Sequence, residues 1–78
     1  MATLEITTTV DATGLSCPMP IVRTAQAMKS LPSGTIVEVL ATDPGSLKDM
    51  AAWCRSTGNE LVRQSLDGNV FHFVIRRK

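Results

Sequence analysis

The chain lacks several things that common functional classes need. It has two cysteines, one histidine, one tryptophan, two phenylalanines and no tyrosine. Two cysteines are too few for a disulfide scaffold, and without a Cys-x-x-Cys there is no thioredoxin-type redox motif. One histidine and two scattered cysteines do not provide zinc-ligand spacing, so no metal is expected. No G-x-S-x-G, P-loop or G-x-G-x-x-G occurs, which removes the nucleophile elbow and the nucleotide-phosphate cradles. Charge of one sign is missing too: eight Lys and Arg against seven Asp and Glu leave a net +1. Nucleic-acid binding leaves a basic footprint, and only Arg76-Arg77-Lys78 resembles one, so no direct nucleic-acid binding is expected. Those three residues read as a solvated tail, or as an aid to docking on an acidic or RNA-bearing partner. No stretch approaches the roughly 18 apolar residues of a membrane span. Met1 to Val10 shows neither a basic n-region nor an apolar h-region, so no signal peptide is expected. The expectation is a cytoplasmic chain, away from membranes, with both thiols reduced.

What is present fits one small domain, 1–78: the chain has 78 residues, 44% of them apolar. A chain this short buries only about 60 to 65% of its unfolded surface. Its total stability should be about 4 to 12 kcal/mol. There is no room for a cofactor domain or a cleft walled on every side. Any chemistry belongs at the surface, with a larger partner.

The pattern predicts strand, helix, strand, helix and hairpin. Leu4, Ile6 and Val10 alternate with Glu5, Thr7 and Thr9, as in a half-buried first strand. Gly14 and Ser16-Cys17-Pro18 end it. A helix from about Pro18 to Leu31 follows, with Ile21, Ala25 and Met28 at i, i+4 and i+7. Pro32-Ser33-Gly34 stops it. Thr35 to Thr42 reads as a central strand.

Asp43-Pro44 then opens a second helix, with Asp43 as N-cap and Pro44 at the first helical position. Ser46 with Asp49 is a competing, later capping pair. Leu47, Met50, Ala51 and Cys54 form the apolar stripe, and Gly58 is a natural C′ residue. Glu60 to Leu66 and Val70 to Arg76 flank Asp67-Gly68, a strong hairpin signal. Phe71, Phe73 and Ile75 should face the helices, with Val70, His72 and Val74 on the other side. The sum is an α+β two-layer sandwich, β-α-β-α-β-β, with both helices on one face of a mixed four-stranded sheet.

The most unusual local sequence is Cys17-Pro18-Met19-Pro20, between the first strand and first helix. With Cys17 as N-cap, Pro18 and Pro20 take the first and third helical positions and lose no ladder hydrogen bond. They also stiffen the turn that carries the thiol. A cysteine at a helix N-terminus meets the positive end of the dipole, which favours a thiolate or a persulfide anion. The amides of Met19 and Ile21 are the remaining nearby donors, and a lowered thiol pKa is expected. The same residues also fit a plain helix start with a small buried cysteine.

Cys54 falls in an apolar stripe and reads as buried; its functional alternative is a resolving thiol for Cys17. Asp43 and Asp49 form a possible carboxylate pair, although capping explains the first and the helix dipole the second. His72 reads as a solvated surface residue, and Trp53 as core packing or a partner contact.

Asp11-Ala12-Thr13-Gly14-Leu15-Ser16-Cys17-Pro18-Met19-Pro20 resembles the D-x-x-G-x-x-C-P-x-P signature of the TusA/SirA-like sulfur carrier proteins. Pro32-Ser33-Gly34, Asp43-Pro44, Asp49 and Asp67-Gly68 extend the resemblance over nearly the whole chain. It implies the same β-α-β-α-β-β sandwich. It also implies that Cys17 accepts sulfane sulfur as a persulfide and passes it to another protein's cysteine, with no cofactor beyond that transient persulfide. The implied donors are a cysteine desulfurase or a rhodanese-like protein. The implied acceptors are DsrE-like sulfurtransferases on the route to thiolated tRNA, or sulfur-oxidation machinery. Met19 stands where members tied to tRNA thiolation often carry Glu. Pro18 and Pro20 would be the scaffold of the site, and Leu15, Met19 and Val22 an apolar docking patch. A monomer suits such a carrier. Two other classes fit the bare residues: a dithiol redox protein or sensor using Cys17 with Cys54, and a non-catalytic interaction module in which the turn only binds.

Overall fold

Alternating apolar residues and well-placed breakers build two helices and four strands in the computed structural model, which describes residues 5–78. The order is β1 (Thr8–Ala12), α1 (Met19–Met28), β2 (Ile36–Ala41), α2 (Ser46–Thr57), β3 (Glu60–Asp67) and β4 (Val70–Arg76). The strands lie in the order β1-β2-β4-β3. β1 runs parallel to β2, and β2/β4 and β4/β3 are antiparallel. This is the expected mixed sheet with both helices on one face.

The register explains which residues form the core. Val37 pairs with Ile75, Val39 with Phe73 and Ala41 with Phe71, so one face of the central strands is apolar throughout. Met28 from α1 and Met50 and Cys54 from α2 close over that face. Phe71, Phe73 and Ile75 therefore face the helices, as the alternation predicts. On the other face His72 Nδ1 lies 3.5 Å from Glu38 Oε2 and is half-buried, rather than a free surface histidine.

Several boundaries differ from the sequence expectation, each for a local reason. Leu4 lies outside the described residues. Ile6 precedes β1 and is 40% exposed, while Asp11 and Ala12 extend the strand by pairing with Leu40 and Ala41. The Asp11 carboxylate then accepts from the Thr13 amide and hydroxyl, a local turn that ends the strand. Gly14 follows at φ +79°, and its amide donates to Thr42 Oγ1 at 2.9 Å, tying the end of β1 to the end of β2.

α1 stops at Met28 because the Leu31 amide tightens onto the Met28 carbonyl instead of continuing the ladder. Its buried line is Pro20, Thr24 and Met28, with Thr24 Oγ1 satisfied by the Pro20 carbonyl at 2.8 Å. α2 begins at Ser46, after Asp43 and Pro44, with Gly45 as N-cap and no side-chain cap. That start rotates the buried stripe to Ser46, Met50 and Cys54 and leaves Leu47 41% exposed. The β3–β4 turn has its positive φ at Gly68 alone (+63°), the requirement of a type II′ hairpin.

The C-terminal residues are not a loose tail. The Arg77 amide donates to the Thr35 carbonyl and its carbonyl accepts from Gly34, both at 2.8 Å. Arg76 pairs with Glu60 at 2.9 Å.

Candidate functional site

β1 and β2 are parallel, so the helices that follow them begin at the same end of the sheet. The Cys17 turn and the Asp43-Pro44-Gly45 turn meet there. A Cβ built on Gly45 would stand 3.9 Å from Cys17 Cβ, ordinary van der Waals contact, so the two turns lie side by side.

Cys17 is half-buried and lies one residue before the helix cap. Pro18, preceded by a cis peptide bond, is the N-cap of α1, and Pro20 is the second helical residue. This corrects the expected placement, in which Cys17 was the cap. The displacement changes where the first-turn amides point. Met19 N–H donates to the Ser16 carbonyl at 2.9 Å, and Ile21 and Val22 N–H both donate to the Pro18 carbonyl, at 3.0 and 3.1 Å. Pro20 has no N–H to give. The local turn therefore uses every amide that was expected to serve the sulfur.

The thiol turns instead to α2 and donates from Sγ to Asp49 Oδ2. Asp49 sits in the first turn of α2, half-buried, with its own amide bonded to the Gly45 carbonyl at 3.1 Å. The expected lowering of the Cys17 pKa is reversed by this arrangement. The hydrogen bond to Asp49, then burial, then the charges of Asp49 and Asp43 push it up to about 11. The thiol form is thereby favoured over the thiolate at neutral pH.

Leu15 is half-buried beside Cys17, while Met19 and Val22 are 42% and 37% exposed on the first turn of α1. Residues three apart share a helix face. Leu47, which the apolar stripe assigned to the core, joins the exposed apolar residues at this end. Of the two scaffold prolines, Pro20 is fully buried and Pro18 exposed. A groove of about 300 Å³ lies elsewhere, between the C-terminal halves of the helices, lined by residues including Met28, Trp53 and Lys78. Trp53 thus packs against the core and also edges this groove.

Cys54 is 3% exposed within the core, and burial pushes its thiol up to about 11. Both cysteines are free. Among the described residues no cluster of three or more His, Cys, Asp or Glu is placed to hold a metal ion, and no helix is long and apolar enough to cross a membrane.

The raised Cys54 pKa has a consequence for stability. The folded chain holds this thiol proton more tightly than the unfolded chain does. The resulting stabilisation is complete below the ordinary thiol value of 9.0 and is lost as pH rises toward about 11. Urea unfolding from pH 8 to 11 should show a steeper loss of stability in the wild type than in Cys54→Ala. Superimposable pH profiles would contradict this.

The family model described as Sulfurtransferase TusA matches residues 8–77. The chain belongs to the TusA family. It is 46% identical over 68 residues to the sulfur carrier protein TusA of Allochromatium vinosum, covering 87% of this chain and 90% of that one. It is 50% identical over 68 residues to the putative sulfur carrier protein YrkI of Bacillus subtilis, covering 87% and 91%. The crystal structure of a SirA-like protein from Desulfitobacterium hafniense superposes with a TM-score of 0.79 at 27% identity, covering 88% of this chain and 95% of that one. The TusA assignment matches the resemblance carried by the Cys17-Pro18-Met19-Pro20 signature, and the sandwich is the fold of the SirA-like neighbour. Asp49 is the site residue that the sequence reading undervalued. Its signal was its place in the signature's downstream matches, which the helix-dipole explanation had absorbed.

Proposed function

We propose that the chain is a sulfur carrier in which Cys17 takes up sulfane sulfur as a persulfide and passes it to a cysteine of an acceptor protein. The observation that carries this reading is a half-buried cysteine on a proline-bounded turn, edged by exposed Met19 and Val22 and away from the groove lined by Met28, Trp53 and Lys78. Membership of a family whose relatives are named sulfur carriers supports it. A relay by successive thiol attacks needs access from both sides, because donor and acceptor must each reach the same sulfur. An enclosed pocket would defeat that need.

The donor is a cysteine desulfurase or a rhodanese-like protein. The acceptor is a DsrE-like or other sulfurtransferase, in tRNA thiolation or in sulfur oxidation and trafficking. The carrier works as a cytoplasmic monomer with no metal or organic cofactor. Uptake balances without a redox partner: Cys17–SH and a donor persulfide R–S–SH give Cys17–S–SH and R–SH. The dithiol alternative gains no support, because Cys54 is closed into the core.

A three-component assay with donor, this chain and a DsrE-like acceptor tests the reading. Sulfur on the acceptor should depend on the chain at substoichiometric amounts. Acceptor loading that is indifferent to the chain would reject it. Within that assay, Met19→Ser should slow loading about tenfold by removing an apolar contact, while leaving the unfolding midpoint nearly unchanged. An unaltered loading rate would exclude Met19 from the docking surface.

A further inference from the structure

We infer that Asp49 is the proton carrier of the Cys17 thiol, taking the Sγ proton as Cys17 attacks sulfane sulfur and returning it to the thiolate that leaves. This rests on the persulfide reading of Cys17 and adds a second catalytic residue to it.

The usual means of activating a thiol are used up at this site. The first-turn amides close on the Ser16 and Pro18 carbonyls. The one histidine lies on the opposite face of the sheet, beside Glu38. Among the described residues no Lys or Arg forms an ion pair with Asp43 or Asp49. The thiol's one side-chain hydrogen bond there is the one it donates to Asp49. Among the described residues the charges that act on the sulfur are those of Asp49 and Asp43, and both favour its thiol form. Its proton must leave during the attack.

A partner seated on Leu15, Met19 and Val22 displaces the water that would otherwise accept that proton. The acceptor must then lie within the contact, and Asp49 Oδ2 is already bonded to the proton. A general base within hydrogen-bond reach of the proton it removes is the geometric requirement for such a role. As Cys17 Sγ attacks the outer sulfur of R–S–SH, the S–H proton passes to Asp49 and the new S–S bond forms. The old S–S bond breaks with its electron pair on R–S⁻, which then takes the proton from Asp49. The products are Cys17–S–SH and R–SH, with nothing oxidised overall. Delivery runs through the same steps in reverse: Asp49 takes the acceptor thiol's proton and gives it to the departing Cys17 sulfur.

The same two carboxylates act on the loaded state. They disfavour the persulfide anion and so shift the outer sulfur toward S–SH, the form a thiolate can attack. A carrier needs that polarity on delivery.

The test pairs two reactions of the same sulfur in wild type, Asp49→Asn and Asp49→Glu. One is loading from a cysteine desulfurase with cysteine, and from a rhodanese with thiosulfate. The other is alkylation by iodoacetamide at pH 7, where bulk solvent takes the proton. Asn removes the charge and can donate to the sulfur. If the thiol pKa falls by about two pH units, the thiolate fraction rises about a hundredfold and its nucleophilicity drops about eightfold. Alkylation should therefore quicken about tenfold, while loading slows about a hundredfold for want of the base. Asp49→Glu should restore part of the loading rate. Opposite movement of the two rates supports the inference, since disorder at the site would move both together. Loading by Asp49→Asn at the wild-type rate overturns it, as does a parallel change in both rates with a lowered melting temperature. If wild type gains no sulfur from either donor, the persulfide reading fails and this inference with it; the wild-type arm keeps the two failures apart.

Discussion

Phe73→Ala should bring the chain close to unfolding. Phe73 is fully buried at the centre of β4, between Val39 of β2 and Gln64 of β3. Its ring stacks on Phe71 with centroids 6.2 Å apart. Truncation loses the transfer free energy of the ring and leaves a cavity under both helices, together costing about 3 to 5 kcal/mol. A chain of this size has about 4 to 12 kcal/mol in total. The loss is thus about a quarter of the stability at the least. Urea unfolding followed by circular dichroism should show a large drop in midpoint. Leu66→Ala, at a position 59% exposed, should leave the midpoint nearly unchanged. A Phe73→Ala cost below about 1 kcal/mol would mean that the core lies elsewhere.

Cys17→Ser should abolish relay outright. A hydroxyl cannot form a persulfide, so no alternative side chain at this turn takes over the sulfur. In the three-component assay, acceptor loading with Cys17→Ser should equal the level without any carrier. Cys54→Ala should retain most of the wild-type rate, because its thiol is enclosed among Val37, Met50 and Phe73 and presents nothing to a partner. Retained relay with Cys17→Ser would move the function off this turn. Equal loss with both variants would favour a dithiol mechanism.

The sandwich was legible because its signals are local. The alternation in Val70 to Arg76 assigns Phe71, Phe73 and Ile75 to one face, and Gly68 supplies the hairpin turn. The turn that holds Cys17 was legible for the same reason, since its prolines and its place before α1 are adjacent in the chain. The electrostatics of that cysteine were not. Asp49 lies 32 residues away, and it reaches the sulfur only because parallel β1 and β2 bring two helix starts to one end of the sheet. The sign of the pKa change depended on a shift of one position at the helix cap. With Pro18 rather than Cys17 as cap, the first-turn amides close on backbone carbonyls and the dipole argument loses its donors. A similar offset at α2, which starts at Ser46, turned Leu47 from a core residue into a surface one. The strand contacts of Arg77 were invisible for another reason: a basic triplet at a chain end carries no pattern that distinguishes pairing from solvation.

The central claim is that sulfur rides on Cys17, and intact-protein mass spectrometry tests it most directly. The chain is incubated with a cysteine desulfurase and cysteine, or with a rhodanese and thiosulfate, without added reductant. Wild type and Cys54→Ala should each gain the mass of one sulfur atom, reversed by dithiothreitol, and Cys17→Ser should gain none. A wild type that gains no sulfur from either donor, or a Cys17→Ser variant that gains as much as the wild type, would contradict the account.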